Sequence, residues 1–260
     1  MLHKIAAEKQ KEVEILKETL SQAKIDEALR TALPTLPFVD SLLKSHRKVS
    51  VIAEVKKASP SKGVIREDFD PVKLAGEYAK AKVEAMSVLT DEKFFQGNKR
   101  FLTSIKKEIP NIPLLRKDFI IDPLQVYEAR MIGADCILLI AAMLEPKQLK
   151  ELAILAKELT LDTLIEVHSE EEIKMVLEHI EPSVIGINNR NLKTFETSLS
   201  TTEKLLPLVP NHIPVISESG IHGRADIEYL EKLGARAVLV GEHFMRQDDV
   251  SLAVKELVGS

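Results

Sequence analysis

A chain of 260 residues, 45% of them hydrophobic, can bury one large core, and α/β barrels of this length form as single domains. Its 36 basic and 40 acidic residues leave a net charge of −4 with no basic block, and 4% aromatic content without Trp supplies no stacking platform, so nucleic acid is excluded as a partner. No apolar run reaches the length of a bilayer span, the N-terminus lacks the uninterrupted apolar stretch of a signal peptide, and one cysteine permits neither an internal disulfide nor a cysteine cage for a metal; a cytoplasmic protein with no membrane association is expected.

Residues 1–49 predict a helical extension. Leu2, Ile5, Val13, Leu16 and Leu20 recur near the helical period, and Ile25, Ala28, Leu29 and Leu33 mark a second short helix before Pro34. Three placements fit this pattern: packing on the outside of the following domain, a contact with a second copy, or a cap over one of its ends.

From residue 50 onward, short aliphatic or β-branched runs alternate eight times with longer amphipathic segments. The runs are SVIAEVK (50–56), AMSVLT (85–90), IPLLRK (112–117), CILLI (136–140), TLIEVH (163–168), VIGINN (184–189), IPVISES (213–219) and AVLVG (237–241). Strand followed by helix at intervals of roughly 20 to 35 residues is the requirement of a parallel βαβ unit, whose crossover must span the sheet. Eight such units predict an α/β fold, a single (β/α)8 TIM barrel over 50–260 with the helical extension at 1–49. Cys136 falls inside an apolar run, where a packed core thiol is expected.

The intervening segments carry helix punctuation that agrees with these strands. Asp70-Pro71 and Asp122-Pro123 place a capping side chain before a proline at the first helical position. Ser169 with Glu172, and Ser200 with Glu203, have capping-box spacing, while Gly133 and Gly234 stand where a left-handed residue ends a helix.

Charged and amide residues gather at the C-terminal ends of the apolar runs. Alternation along a strand puts Ile52, Glu54 and Lys56 on one face and the uniformly apolar Val51, Ala53 and Val55 on the other, so Glu54 and Lys56 are expected to point into the barrel. The same parity joins Lys117 to Leu115, Glu166 to Leu164, Glu218 to Ile216 and Asn188 to Gly186, with Arg190 just beyond. Ionised groups inside a barrel are costly unless paired, and the C-terminal mouth is where this architecture carries its chemistry. A pure register-fixing ion network would account for one such residue better than for five at matching depth.

Loops after the seventh and eighth strands commonly hold phosphate through backbone N–H groups. Ser219-Gly220 and Gly241-Glu242 occupy those positions, and each glycine permits close approach of the backbone to an anion. The loop Lys57-Ala58-Ser59-Pro60-Ser61-Lys62-Gly63 after the first strand fits either an exposed turn or a mobile lid over the same mouth.

The segments IAEVKKASPSKG, LRKDFIID, IEVH, GINNRNLKTF and SESGI, followed by VLVGEHFMR, occur in order over about residues 50–246 and resemble the indole-3-glycerol-phosphate synthases. The resemblance implies ring closure, decarboxylation and dehydration of 1-(2-carboxyphenylamino)-1-deoxyribulose 5-phosphate in tryptophan biosynthesis, with neither cofactor nor metal. It implies that Lys117 and Glu166 are catalytic, that Lys56 contacts substrate and shares acid duties, and that Glu54, Asn188 and Glu218 support them. Ser59 and Arg190 would lie near the anthranilate end or the lid, Phe119 against the aromatic ring, and Ser219, Gly220, Gly241 and Glu242 at the phosphate. The partner is then a phosphorylated small molecule, and the chain is expected to be a monomer or weak homodimer. A phosphoribosylanthranilate isomerase would call for a cysteine base at a strand end, which the place of Cys136 within an apolar strand run disfavours. A phosphate-binding scaffold would not need Lys117 and Glu166 together.

Overall fold

The computed structural model describes residues 2–191 and 194–259. Eight parallel strands close into a barrel in sequence order: β1 (Ser50–Val55), β2 (Ala85–Leu89), β3 (Leu114–Lys117), β4 (Cys136–Ile140), β5 (Asp162–Val167), β6 (Val184–Asn188), β7 (Val215–Glu218) and β8 (Ala237–Val240), with β8 pairing back to β1. Each lies within or beside an apolar run read from the sequence. The third and seventh runs start pairing two residues late, because Pro113 and Pro214 cannot donate to a ladder.

Side-chain parity sorts the strands into two layers. Ile52, Ala85, Leu115, Cys136, Leu138, Leu164, Ile216 and Leu239 fill the barrel interior. Val51, Ala53, Val55, Ile137, Leu139, Ile165, Ile185 and Val238 face the helices. Burial of a side chain of this size is worth about 1.5–3 kcal/mol, so a one-residue register slip would be opposed on every strand at once.

The helical extension divides its work between both ends of the barrel. Helix α1 (Leu2–Thr19) reaches the C-terminal mouth, where Leu2 and Ile5 line the central cavity. Helix α2 (Gln22–Thr31) packs on the helix Pro123–Met131 outside the barrel. Helix α3 (Phe38–Leu43), which the periodicity did not reveal, plugs the opposite mouth with Phe38, Val39 and Leu42. Asp135 and Asp162, at the starts of β4 and β5, accept the Leu36 and Val39 N–H groups at 2.8 and 2.9 Å and seat that plug. Capping and exterior packing are thus both realised, by different helices. Six residues without a hydrophobic repeat were too short to read as a helix before the plug's partners were in view.

The helix caps follow the expected pattern with two corrections. Asp70 and Asp122 cap their helices as read, the latter in a full capping box with Gln125. Gly133 and Gly234 adopt φ of 92° and 95° at helix ends. Ser169 accepts the Glu172 N–H, but the Glu172 carboxylate accepts from His168 instead of Ser169. Ser200 and Glu203 form no capping box: Ser200 is already inside the helix Ser200–Leu205, whose first turn is entered through a helical Leu199. No helix among the described residues is long and apolar enough to cross a membrane.

Candidate active site

Every site residue expected from the sequence lines one cavity of about 310 Å³ at the C-terminal ends of the strands. Leu192 and Lys193 of the GINNRNLKTF segment lie outside the described residues. Leu89, Phe95, Phe119, Leu138, Ile140 and Leu239 supply apolar wall, and the Phe95 and Phe119 rings meet at 5.9 Å between centroids.

Lys117, the last residue of β3, is the centre of the polar floor. Its Nζ lies 3.0 Å from Glu166 Oε2 and 2.7 Å from Glu218 Oε2, while Asn188 Nδ2 donates to Glu166 Oε1 at 3.2 Å. Burial alone would drive Lys117 towards its neutral form, but the carboxylates of Glu166, Glu218 and Glu54 overcome that and hold its pKa above the ordinary value. Burial also opposes the charge on Glu166, and Lys117 with His168 nevertheless keeps that carboxyl well below the usual range. Glu218 differs: burial, countered by Lys117 and reinforced by the charge on Glu166, pushes it up to about 7. Two carboxylates sharing one ammonium cannot both be held at low pKa, so the floor combines a firm anion with a carboxyl poised near neutrality.

Two glycines, Gly186 within β6 and Gly241 just after β8, have a function that sequence alone did not show. A Cβ at Gly186 would collide with the Glu218 carboxylate, and one at Gly241 with the Glu54 carboxylate. Their missing side chains make the room in which the charged floor sits. Glu54 in turn pairs with Lys56 Nζ at 2.6 Å, which brings that ammonium beside the loop after β8.

Over this floor, the loop after β1 is neither a plain turn nor featureless. Ala58–Ser59 pairs with Gly63–Val64 in a two-rung antiparallel hairpin, with Gly63 at φ 67°, and Ser59, Pro60, Ser61 and Lys62 face the cavity. Arg190 donates to Ser61 Oγ at 3.3 Å and lies 3.8 Å from Glu242 Oε2, linking the hairpin to the loops after β6 and β8. Ser219 and Gly220 follow β7 with φ of 68° and 76°, a consecutive left-handed pair that turns the backbone sharply at the cavity rim. Buried Asn189 holds that turn by donating to Ser217 Oγ and to the carbonyls of Glu218 and Ser219, the last two at 3.0 Å. The Glu242 carboxylate is engaged by Arg246 at 2.9 Å.

Three participants were not singled out from the sequence. Asn189 directly follows the expected Asn188 but points to the opposite face. His168 shares parity with Glu166 two residues earlier, and its ring stands 3.2 Å from that carboxylate. Lys9 falls on the stripe Ile5–Lys9–Val13 of α1, and a charge at that spacing is the sign of a buried partner. It is fully buried, 2.8 Å from both Asp91 and Asp118.

The sequence model of the family described as indole-3-glycerol phosphate synthase matches residues 2–257. An indole-3-glycerol phosphate synthase of Bacillus pumilus (strain SAFR-032) is 52% identical over 222 residues, covering 85% of this chain and 88% of that one. Its counterpart in Geobacillus kaustophilus (strain HTA426) is 48% identical over 259 residues, covering 100% and 97%. Among solved structures, 3-hexulose-6-phosphate synthase from Salmonella typhimurium superposes with a TM-score of 0.66 at 11% identity, over 81% of this chain and 97% of that one. The tryptophan synthase alpha-subunit of Pyrococcus furiosus gives 0.61 at 15% identity, over 83% and 100%; likenesses at this identity speak for the barrel alone. With a match running almost end to end and relatives near half identity over most or all of the chain, this protein belongs to the indole-3-glycerol phosphate synthase family, carboxy-lyases of tryptophan biosynthesis.

Proposed function

We propose that the cavity binds 1-(2-carboxyphenylamino)-1-deoxyribulose 5-phosphate and converts it to indole-3-glycerol phosphate with Lys117 as acid and Glu166 as base. One observation carries this reading: an ammonium clamped between two carboxylates on the floor of an apolar-walled cavity. Lys117 protonates the ketone oxygen as the ring carbon bearing the carboxylate attacks the ketone carbon. Carbon dioxide leaves, and its bonding pair restores the ring. Lys56, sharing the acid duty, protonates the new hydroxyl, which departs as water, and Glu166 takes the proton released as the indole forms. The apolar wall holds the aniline ring against the ribulose chain, which lowers the entropic cost of closure.

Glu54, Asn188 and Glu218 hold the two reacting groups in register, and Phe119 packs on the aromatic ring beneath Ser59 and Arg190. The phosphate sits at the loops of Ser219-Gly220 and Gly241-Glu242, where Lys56 adds its charge. Glu242 contributes there through its N–H, its carboxylate being taken by Arg246. The reading includes action in the cytoplasm on a freely diffusing substrate.

Incubating the protein with the carboxyphenylamino ketose phosphate is expected to produce indole fluorescence, and no signal from a folded sample overturns the assignment. Inorganic phosphate is expected to inhibit competitively. A crystal soaked in phosphate is expected to show the anion against Gly220 and Gly241, and an anion bound elsewhere with this site empty would refute the placement.

A further inference from the structure

We infer that His168 is a positioning residue for Glu166: clamped as an imidazolium between Glu166 and Glu172, it keeps the base ionised and correctly turned. This rests on the reading of Glu166 as the base.

The geometry at the corner between β5 and helix α4 (Glu170–His179) is specific. Glu172 reaches back from the first turn of α4, where its Oε2 accepts the His168 backbone N–H at 2.7 Å and lies 3.3 Å from ring Nδ1. The ring is thereby fixed by a neighbour that also holds its main chain. Its other nitrogen, Nε2, stands 3.2 Å from Glu166 Oε1, an ion-pair contact rather than a directed hydrogen bond. A neutral imidazole carries a proton on one nitrogen only, so one of the two carboxylates would face a lone pair. Protonation of both nitrogens removes that repulsion. Burial works against the charge, yet the two carboxylates push the imidazole up to about 10, so it stays cationic through the neutral range.

Glu166 is consequently held from three sides. Lys117 of β3 meets Oε2, while Asn188 of β6 and His168 meet Oε1; Glu218 of β7 is the opposing charge across Lys117. Lys117 gives up its proton during the first step, and at that moment Glu166 loses its nearest cation. His168 is not among the residues lining the cavity and does not itself meet substrate. It supplies a charge that the reaction does not consume, and so preserves the ionised state of Glu166 until the base is needed.

A depressed carboxylate pKa keeps the base active down to low pH, and loss of a neighbouring cation raises that pKa. His168→Gln keeps an N–H donor and removes the charge. Its acidic limb of kcat is expected to move up by about 1 to 3 pH units, with kcat near pH 8 largely retained and KM unchanged. His168→Leu, lacking donor and charge, should show the same limb shift and also lose kcat at every pH. A limb in folded His168→Gln that coincides with the parent enzyme's overturns the inference. Nitrogen-15 NMR of the unaltered enzyme supplies a test independent of any variant's folding: both His168 ring nitrogens are expected to be protonated at pH 8, and a neutral ring there also overturns it. Glu166→Gln separates the two levels. If that variant keeps its kcat, Glu166 is not the base and the parent reading fails; if it is inactive while the His168→Gln limb is unshifted, only the role of His168 fails.

Discussion

Replacing Lys117 with methionine is expected to lower kcat on the order of 10²-fold or more while leaving the fold in place, since the substitution keeps the stem and deletes the proton. Substrate binding should largely survive, because the phosphate loops lie at the ends of β7 and β8 and the aromatic wall is untouched. Two buried carboxylates would then face each other without their ammonium. Glu218, already pushed up to about 7, takes a proton and relieves the repulsion, so the loss of stability is smaller than an unrelieved buried charge would cause. A register-fixing network makes the opposite forecast: the melting temperature falls and activity per folded molecule stays near normal. Thermal unfolding measured beside steady-state kinetics distinguishes the two, and a near-normal kcat in folded Lys117→Met would remove that lysine from the mechanism.

Lys9→Met is expected to have the largest effect on stability. The Lys9 ammonium is fully buried and bridges Asp91 and Asp118, each at 2.8 Å, with Glu12 at 2.9 Å. Burial alone would discharge it, but the two aspartates hold its pKa above the ordinary lysine value; Asp118 is held well below the usual carboxylate range by Arg116 and Lys9 against its own burial. Removing one partner of a buried pair costs about 3–5 kcal/mol, and for a chain of this size each kcal/mol moves Tm by about 2–4 °C. A fall of roughly 6 °C or more is therefore expected. Function should suffer with it, because the same network shapes the cavity. Asp91 Oδ1 accepts the Phe94 and Phe95 N–H groups, Asp118 Oδ1 accepts that of Phe119, and Lys9 stands one helical turn from Ile5 in the roof. KM is expected to rise more than kcat falls. Unchanged Tm and KM in the variant would show that α1 is held by its apolar contacts alone.

The polar floor of the cavity was largely legible before any coordinates. Strand parity is a local rule, so Glu54, Lys117, Glu166, Asn188 and Glu218 could be assigned to the interior from their apolar neighbours two residues away. Lys9, His168 and Asn189 escaped for a common reason: each acts through a partner on another element. Lys9 needs Asp91 and Asp118 from two strand ends, and the His168 ring acquires its charge only when Glu172 returns from α4. The mistaken capping box at Ser200 is the converse case, a spacing motif whose helix begins elsewhere once Leu199 packs against the core.

What the amino-acid order determined by itself was periodic and local: eight strand–helix units, the inward face of each strand, the caps at Asp70 and Asp122, and the concentration of charge at one end. Those features follow from backbone geometry and hydrophobic alternation, which act over a few residues. Tertiary structure decided what depends on convergence in space. It set α1 over one mouth and α3 in the other, gave Gly186 and Gly241 their use as room for the Glu218 and Glu54 carboxylates, and separated the two glutamates beside Lys117 into a firm anion and a carboxyl near neutrality. Desolvation and Coulomb interaction depend on which charges share a buried volume, and sequence spacing carries no measure of that distance.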